Sequence, residues 1–125
     1  MEDSELDPFP VNRMVSYLDV FREVNDIIPL QVIITFLVVA ANPGISMTKV
    51  SDVIGRSMST TSRHLLDLGD LNRFRKPGYR LINVVKDPDD RRRNNYYVNG
   101  RGSQLIRKAM KKFQASTTVC KVWED

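Results

Sequence analysis

Cysteine and histidine are almost missing from this 125-residue sequence, where Cys120 and His64 are the only examples. One thiol cannot close an internal disulfide, and no cysteine-built zinc site can be assembled around it. A lone imidazole removes most other metal centres and leaves no nucleophile–base pair for covalent catalysis. Gly100 and Gly102 lack the third glycine and the preceding βαβ context of a dinucleotide loop. The Asp87, Asp89 and Asp90 cluster lacks the downstream glutamate of a calcium loop, so turn chemistry accounts for it. The reading is therefore no enzyme, no cofactor and no metal.

Bases are absent from residues 1–10, which hold Glu2, Asp3, Glu5, Asp7 and two prolines. That is the reverse of a secretory leader, and a cytoplasmic location is expected. Long apolar runs are absent too. The longest, Leu30 to Ala41, is interrupted only by Gln31 and Thr35 and stops well short of the roughly 20 residues a membrane helix needs. No membrane association is expected.

What is present suits a globular protein, with 42% hydrophobic and 27% charged residues. The formal net charge of +4 conceals an asymmetry: residues 56–112 hold fifteen bases against five acids, a local +10. Such a field points to a polyanionic partner, nucleic acid before a membrane surface. A solvated basic face without a partner is the plainer alternative.

Residues 1–11 read as an acidic flexible arm with Phe9 as a candidate anchor, and 12–125 as one domain. Asn12 is a plausible cap for a first helix whose inner face would be Met14, Leu18, Phe21 and Val24. Pro29 opens a buried helix over Leu30–Ala41, ended by Asn42-Pro43-Gly44. Ile45 to Met47 is a short extended piece. Thr48 then caps a helix that closes at Gly55, and Ser57 caps the next, which runs to about Leu71. Two short helices joined by a glycine turn make a helix-turn-helix over 48–71.

In the second of these helices Met58, Thr61, Leu65 and Leu68 share an inner face, whereas Ser59, Thr60, Arg63 and Asp67 point away. Small hydroxyls at a helix start allow close approach to phosphates and base edges, and Arg63 can address a guanine through O6 and N7. His64 flanks that face. It is kept as a contact candidate, although an ordinary partly exposed histidine explains it as well. Arg73, Arg75 and Lys76 lead to the turn signal Pro77-Gly78, then Tyr79 to Lys86 reads as a strand. Asp87 to Asp90 turn the chain, Arg91, Arg92 and Arg93 form a basic tip with Asn94 beside it, and Asn95 to Val98 returns, giving a wing over 79–98. Asn99 caps a last helix, 99–114, with Leu105, Ile106, Ala109, Met110 and Phe113 inward. The fold class is thus mainly α with a small β-hairpin wing, a winged helix-turn-helix flanked by N- and C-terminal helices.

The stretch DPDDRRRNNYYVNGRG resembles the wing of the MarR-type winged-helix transcriptional regulators, and GRSMSTTSRHLLDL is similar to their turn and recognition helix, with Ser62-Arg63 at the usual serine–arginine pair. The resemblance spans roughly Leu30 to Leu105. It implies a homodimer joined through the terminal helices, where Phe9, Phe21, Phe113 and Trp123 are the candidate contacts. It also implies a recognition helix in the major groove of double-stranded DNA (Ser57, Ser59, Thr60, Arg63, His64) and an arginine wing in the minor groove (Arg91, Arg92, Arg93, Asn94). Asp67 would pair with Arg91 or Arg92 and, with Asp90, orient the wing. Departures are the extra FRKPGYRL before the wing and the ending ASTTVCKVWED where the family often continues into a longer dimerisation helix. The function expected is a sequence-preferring DNA-binding regulator that represses transcription. A winged-helix module docking on a protein partner, such as a polymerase or nuclease subunit, is the second reading.

Overall fold

In a computed structural model the described residues are 8–114, with side chains to residue 112. Five helices and a three-stranded sheet follow one another: α1 Pro8–Asp19, a 3-10 turn Val20–Glu23, α2 Leu30–Ala41, β1 Ile45–Ser46, α3 Met47–Ile54, α4 Met58–Leu68, β2 Ile82–Lys86, β3 Asn94–Val98 and α5 Gly100–Gln114. The backbone divides into two compact units, one of residues 28–104 and one that takes in residues 8–27 and 105–114.

The larger unit is built around α2. Its apolar sequence buries Val32, Ile33, Thr35, Phe36 and Val39. Thr35 is tolerated there because its hydroxyl donates to the Gln31 carbonyl at 2.8 Å, which satisfies the polar atom inside the helix. Val50 from α3, Leu65 and Leu68 from α4, and Leu81, Ile82 and Tyr96 from the sheet region complete the buried set. Helix α2 covers the residues expected, Leu30–Ala41, and stops at Asn42, whose side chain donates back to the Val38 carbonyl.

The sheet is antiparallel in the order β1-β3-β2. The wing hairpin aligns Ile82 with Val98 and Lys86 with Asn94. On its other edge β3 pairs with the short piece before α3, Ile45 opposite Tyr96 and Ser46 opposite Asn95. The expected two-stranded wing is therefore the outer part of a three-stranded sheet, and the extra strand is continuous with the start of α3. The first wing strand begins at Ile82 instead of Tyr79, because residues 78–81 use their amides to bond the end of α4: Tyr79 N–H donates to Asp67 O and Leu81 N–H to Leu68 O, both at 2.8 Å.

Gly102 is required at the start of α5. A side chain there would collide with the Leu81 carbonyl and with Val98 Cγ1. Asn99 caps this helix as expected, its Oδ1 accepting from Gly102 N–H at 2.8 Å.

In the smaller unit α1 begins at Pro8, four residues before the expected start. Pro8 and Pro10 fit the first turn, where a missing N–H costs nothing. Asn12, expected as the cap, lies inside the helix and is buried, with its Oδ1 unpartnered among the described residues. The inner face also differs from expectation. Val20 and Phe21 are buried, while Met14 and Leu18 are 51% and 45% exposed. The buried pair lies in the 3-10 turn that follows Asp19, where the α-helix has ended. Lys108 Nζ donates to Glu23 Oε1 at 2.5 Å in the same unit.

Candidate nucleic-acid interface

Local chemistry determines the helix-turn-helix. Ser46, not Thr48, caps α3: it has the extended backbone a cap needs, and its hydroxyl accepts from Lys49 N–H at 3.3 Å. Gly55 ends α3 in the left-handed region, φ 67°, where glycine is unstrained. The turn is then locked by Ser51, whose buried hydroxyl donates to the Arg56 carbonyl at 2.6 Å. Ser57 caps α4 as expected and accepts from Thr60 N–H at 3.2 Å. Its hydroxyl also lies 3.2 Å from that of Ser59 and donates to Thr60 Oγ1 at 3.1 Å. The small hydroxyls at the helix start are thus mutually satisfied and held at the surface.

Helix α4 closes at Leu68, earlier than Leu71. Thr61, Leu65 and Leu68 face the core as expected, but Met58 is 43% exposed. Ser57, Ser59 and Arg63 are exposed, whereas Thr60, His64 and Asp67 are half-buried. His64 Nε2 is shielded and has no hydrogen-bond partner among the described residues. Burial lowers the imidazole pKa, Asp67 opposes that shift, and the charges of Arg56 and Arg73 add to it. Together these effects favour the neutral ring over the charged one.

Asp87 organises the wing tip. Its Oδ1 accepts from the amides of Asp89 and Asp90 at 2.8 and 3.2 Å, and its Oδ2 from Asn95 Nδ2 at 3.4 Å. The Asp89 amide above all, then those of Asp90 and Asn95 and the Arg93 charge, hold this carboxyl below its ordinary range against a smaller desolvation effect. The tip closes with Asp87 N–H donating to Arg93 O and Arg93 N–H to Asp90 O. Arg91, Arg92 and Arg93 are all exposed and Asn94 is half-buried. Arg92 Nε reaches Asp90 Oδ1 at 3.4 Å, a solvated pair with the arginine side chain 93% exposed. Asp67 forms no ion pair with Arg91 or Arg92 among the described residues; its carbonyl instead accepts the Tyr79 amide. Asp90 meets Arg92 only within the tip itself.

A cleft of about 400 Å3 separates the wing from the starts of α3 and α4, lined among others by Lys49, Met58, Arg92 and Arg93. Lys49 and Met58 were not candidates in the sequence, where nothing marks them, because the cleft arises only when β1 pairs with β3.

More consequential is the segment after α4. Leu71 pairs with Pro77, Asn72 N–H donates to Lys76 O, and Arg75 N–H donates to Asn72 O, making a small hairpin. Pro77-Gly78 and the extra FRKPGYRL were its signals, but they do not reveal the ladder. Of the aromatic rings in this segment and the sheet, Tyr96 is buried at 7% exposure, Tyr79 is half-buried, and Phe74 and Tyr97 are exposed.

Among the candidate dimer contacts Phe9 is 46% exposed, but Phe21 is 1% exposed and meets the Tyr17 ring in a tilted contact with centroids 5.9 Å apart, so it is a core residue of its own chain. The Phe113 side chain and Trp123 lie outside the described residues. The exposed apolar surface of this unit is instead Met14, Leu18 and Met110, which with Tyr17 line a shallow cleft of about 480 Å3. No described helix is long and apolar enough to cross a membrane.

No protein-family model and no curated protein sequence matches the chain. Solved structures do. MepR from S. aureus, in a DNA complex, is similar with a TM-score of 0.66 and 20% identity over 82% of this chain and 77% of that one. FabT from Streptococcus pneumoniae, also in complex with DNA, gives 0.60 and 16% over 84% and 70%. MarR gives 0.58 and 21% over 80% and 68%. With its helix-turn-helix, three-stranded sheet and flanking helices, the chain has the winged-helix fold of the MarR-type transcriptional regulators.

Proposed function

We propose that this protein binds double-stranded DNA as a homodimer and regulates transcription, acting as a repressor by occluding a promoter. The observation that carries the reading is the arrangement of exposed cations in the larger unit. Arg56 and Arg63 border the solvent-facing side of α4, and Arg91, Arg92 and Arg93 cap a wing tied through β3 to the strand that starts α3. Helix α4 would enter the major groove by its serine-rich start, with Arg63 reading a base edge. The wing arginines would enter the adjacent minor groove or bind flanking phosphates. The DNA in the MepR and FabT complexes supports the same partner for this fold. A two-fold dimer would read half-sites about one helical turn, ~34 Å, apart.

Selection from random duplex DNA followed by titration of the recovered fragment tests the reading. Affinity should fall with salt by a log–log slope of about 0.9 per phosphate neutralised. Arg63→Ala should cost roughly 1–3 kcal/mol on the selected site and relax the preference at one position. No enriched sequence, together with salt-independent binding, would overturn it and favour a protein partner.

A further inference from the structure

The hairpin Leu71–Pro77 is a strongly charged feature that the helix-turn-helix and wing do not absorb. Its seven residues include Arg73, Arg75 and Lys76 and no acid. None of these three cations forms an ion pair among the described residues. All are exposed, as is Phe74 at 67%.

The loop is also preformed. Asn72 Oδ1 accepts from the amides of Phe74 and Lys76 at 2.9 and 3.1 Å, and the Asn72 amide donates to Lys76 O at 2.8 Å. Arg75 occupies the left-handed position of the turn, φ 60°, where a three-residue hairpin loop ordinarily takes glycine. An arginine is held there despite the conformational cost. Arg73 lies over the Phe74 ring at 4.8 Å, which occupies the guanidinium face and leaves its N–H edge open to oxygen acceptors.

Anchoring places this hairpin at the far end of the helix proposed to read DNA. Gly78 N–H donates to Asp70 O and Arg80 N–H to Gly69 O. Gly78 sits so close to the carbonyls of Gly69 and Asp67 that no side chain would fit. Eleven residues of helix span about 16 Å, more than the roughly 12 Å width of the major groove. A helix that reaches bases with its N-terminal turn therefore carries its other end out to the rim of the groove, where the phosphates lie.

We propose that the Leu71–Pro77 hairpin is a second, preformed basic finger that grips the DNA phosphate backbone flanking the groove read by α4, through Arg73, Arg75 and Lys76. It rests on the duplex-DNA reading above and adds a contact that helix and wing do not supply. Because the loop is already ordered, little conformational entropy is lost on binding. Because phosphates are the same at every step, it raises affinity without reading sequence.

The test compares the full chain with the triple variant Arg73→Gln, Arg75→Asn, Lys76→Gln, asparagine being chosen because it tolerates a positive φ. The double variant Arg73→Gln, Lys76→Gln leaves the strained position untouched and guards against misfolding of the triple. Arg63→Ala serves as reference. Probes are the selected duplex, an unrelated duplex of equal length, and the selected duplex trimmed at its flanks. The finger variants should lose about tenfold or more on both long duplexes alike, with the log–log salt slope reduced by about 0.9 for each phosphate contact removed. Trimming should erase the difference from the parent. The proposal is overturned if they keep parental affinity and slope while Arg63→Ala weakens binding, or if their loss is confined to the selected sequence. If Arg63→Ala is also silent, the duplex-DNA reading fails with it.

Discussion

His64 is the only imidazole in the chain, so stability changes near neutral pH can be traced to one residue. Its folded-state pKa is lowered from 6.5, chiefly by burial. As pH falls the unfolded chain takes up the proton first, so between 6.5 and the lower folded value the unfolded state binds more protons. Stability should thus be complete above about 6.5 and decline as the pH drops through that window. Urea midpoints measured from pH 7.5 to 5 should show the decline in the parent and a flatter profile in His64→Gln; equal profiles would refute the assignment. From the sequence His64 was legible only as a residue beside the outer face. That its Nε2 is covered is a result of the folded packing around α4.

At the level of elements, caps and turns were readable because their chemistry is local. Ser57 holds α4, Gly55 closes α3, Asn99 opens α5, and Asp87 gathers the wing tip within a few residues of itself. The wing tip carries a direct consequence. Removing the carboxylate in Asp87→Ala leaves the amides of Asp89 and Asp90 and the Asn95 side chain without their acceptor. These groups are largely exposed, so global stability should change by less than about 1 kcal/mol. Amide exchange at Asp89, Asp90 and Arg93 should accelerate, while α2 and α4 remain protected. Unchanged exchange at the tip would show that the hairpin register alone holds it. The same local logic could not anticipate Ser46 as the α3 cap, since Thr48 is equally competent by type, and the pairing of β1 with β3 is what sets the entry to that helix.

For the whole molecule, the exposed apolar residues of the smaller unit bear on assembly. Met14, Leu18 and Met110 are each close to half exposed, an uncommon grouping on a surface that contacts only water. Under the dimer proposal, Met14→Glu with Leu18→Glu should shift the mass measured by sedimentation from dimer to monomer and weaken a two-half-site duplex far more than a single half-site. A variant that stays dimeric would put the contact elsewhere. Phe21 does not take this role, because it is buried within its own chain in the 3-10 turn after α1.

The sequence by itself determined the order of elements, the buried α2, the helix-turn-helix boundaries to within a few residues, the basic character of the wing and its turn. All of these follow from periodicity, capping and turn residues acting over a few positions. Only the tertiary structure decided which residues around α1 are covered, that β1 completes the sheet, that Arg92 meets Asp90 within the tip, and that residues 71–77 form a basic hairpin after α4. The pairing of β1 with β3 joins positions far apart in the chain and leaves no local pattern, whereas the tip and the hairpin are local in sequence but take their form from hydrogen bonds that several nearby residues could equally supply.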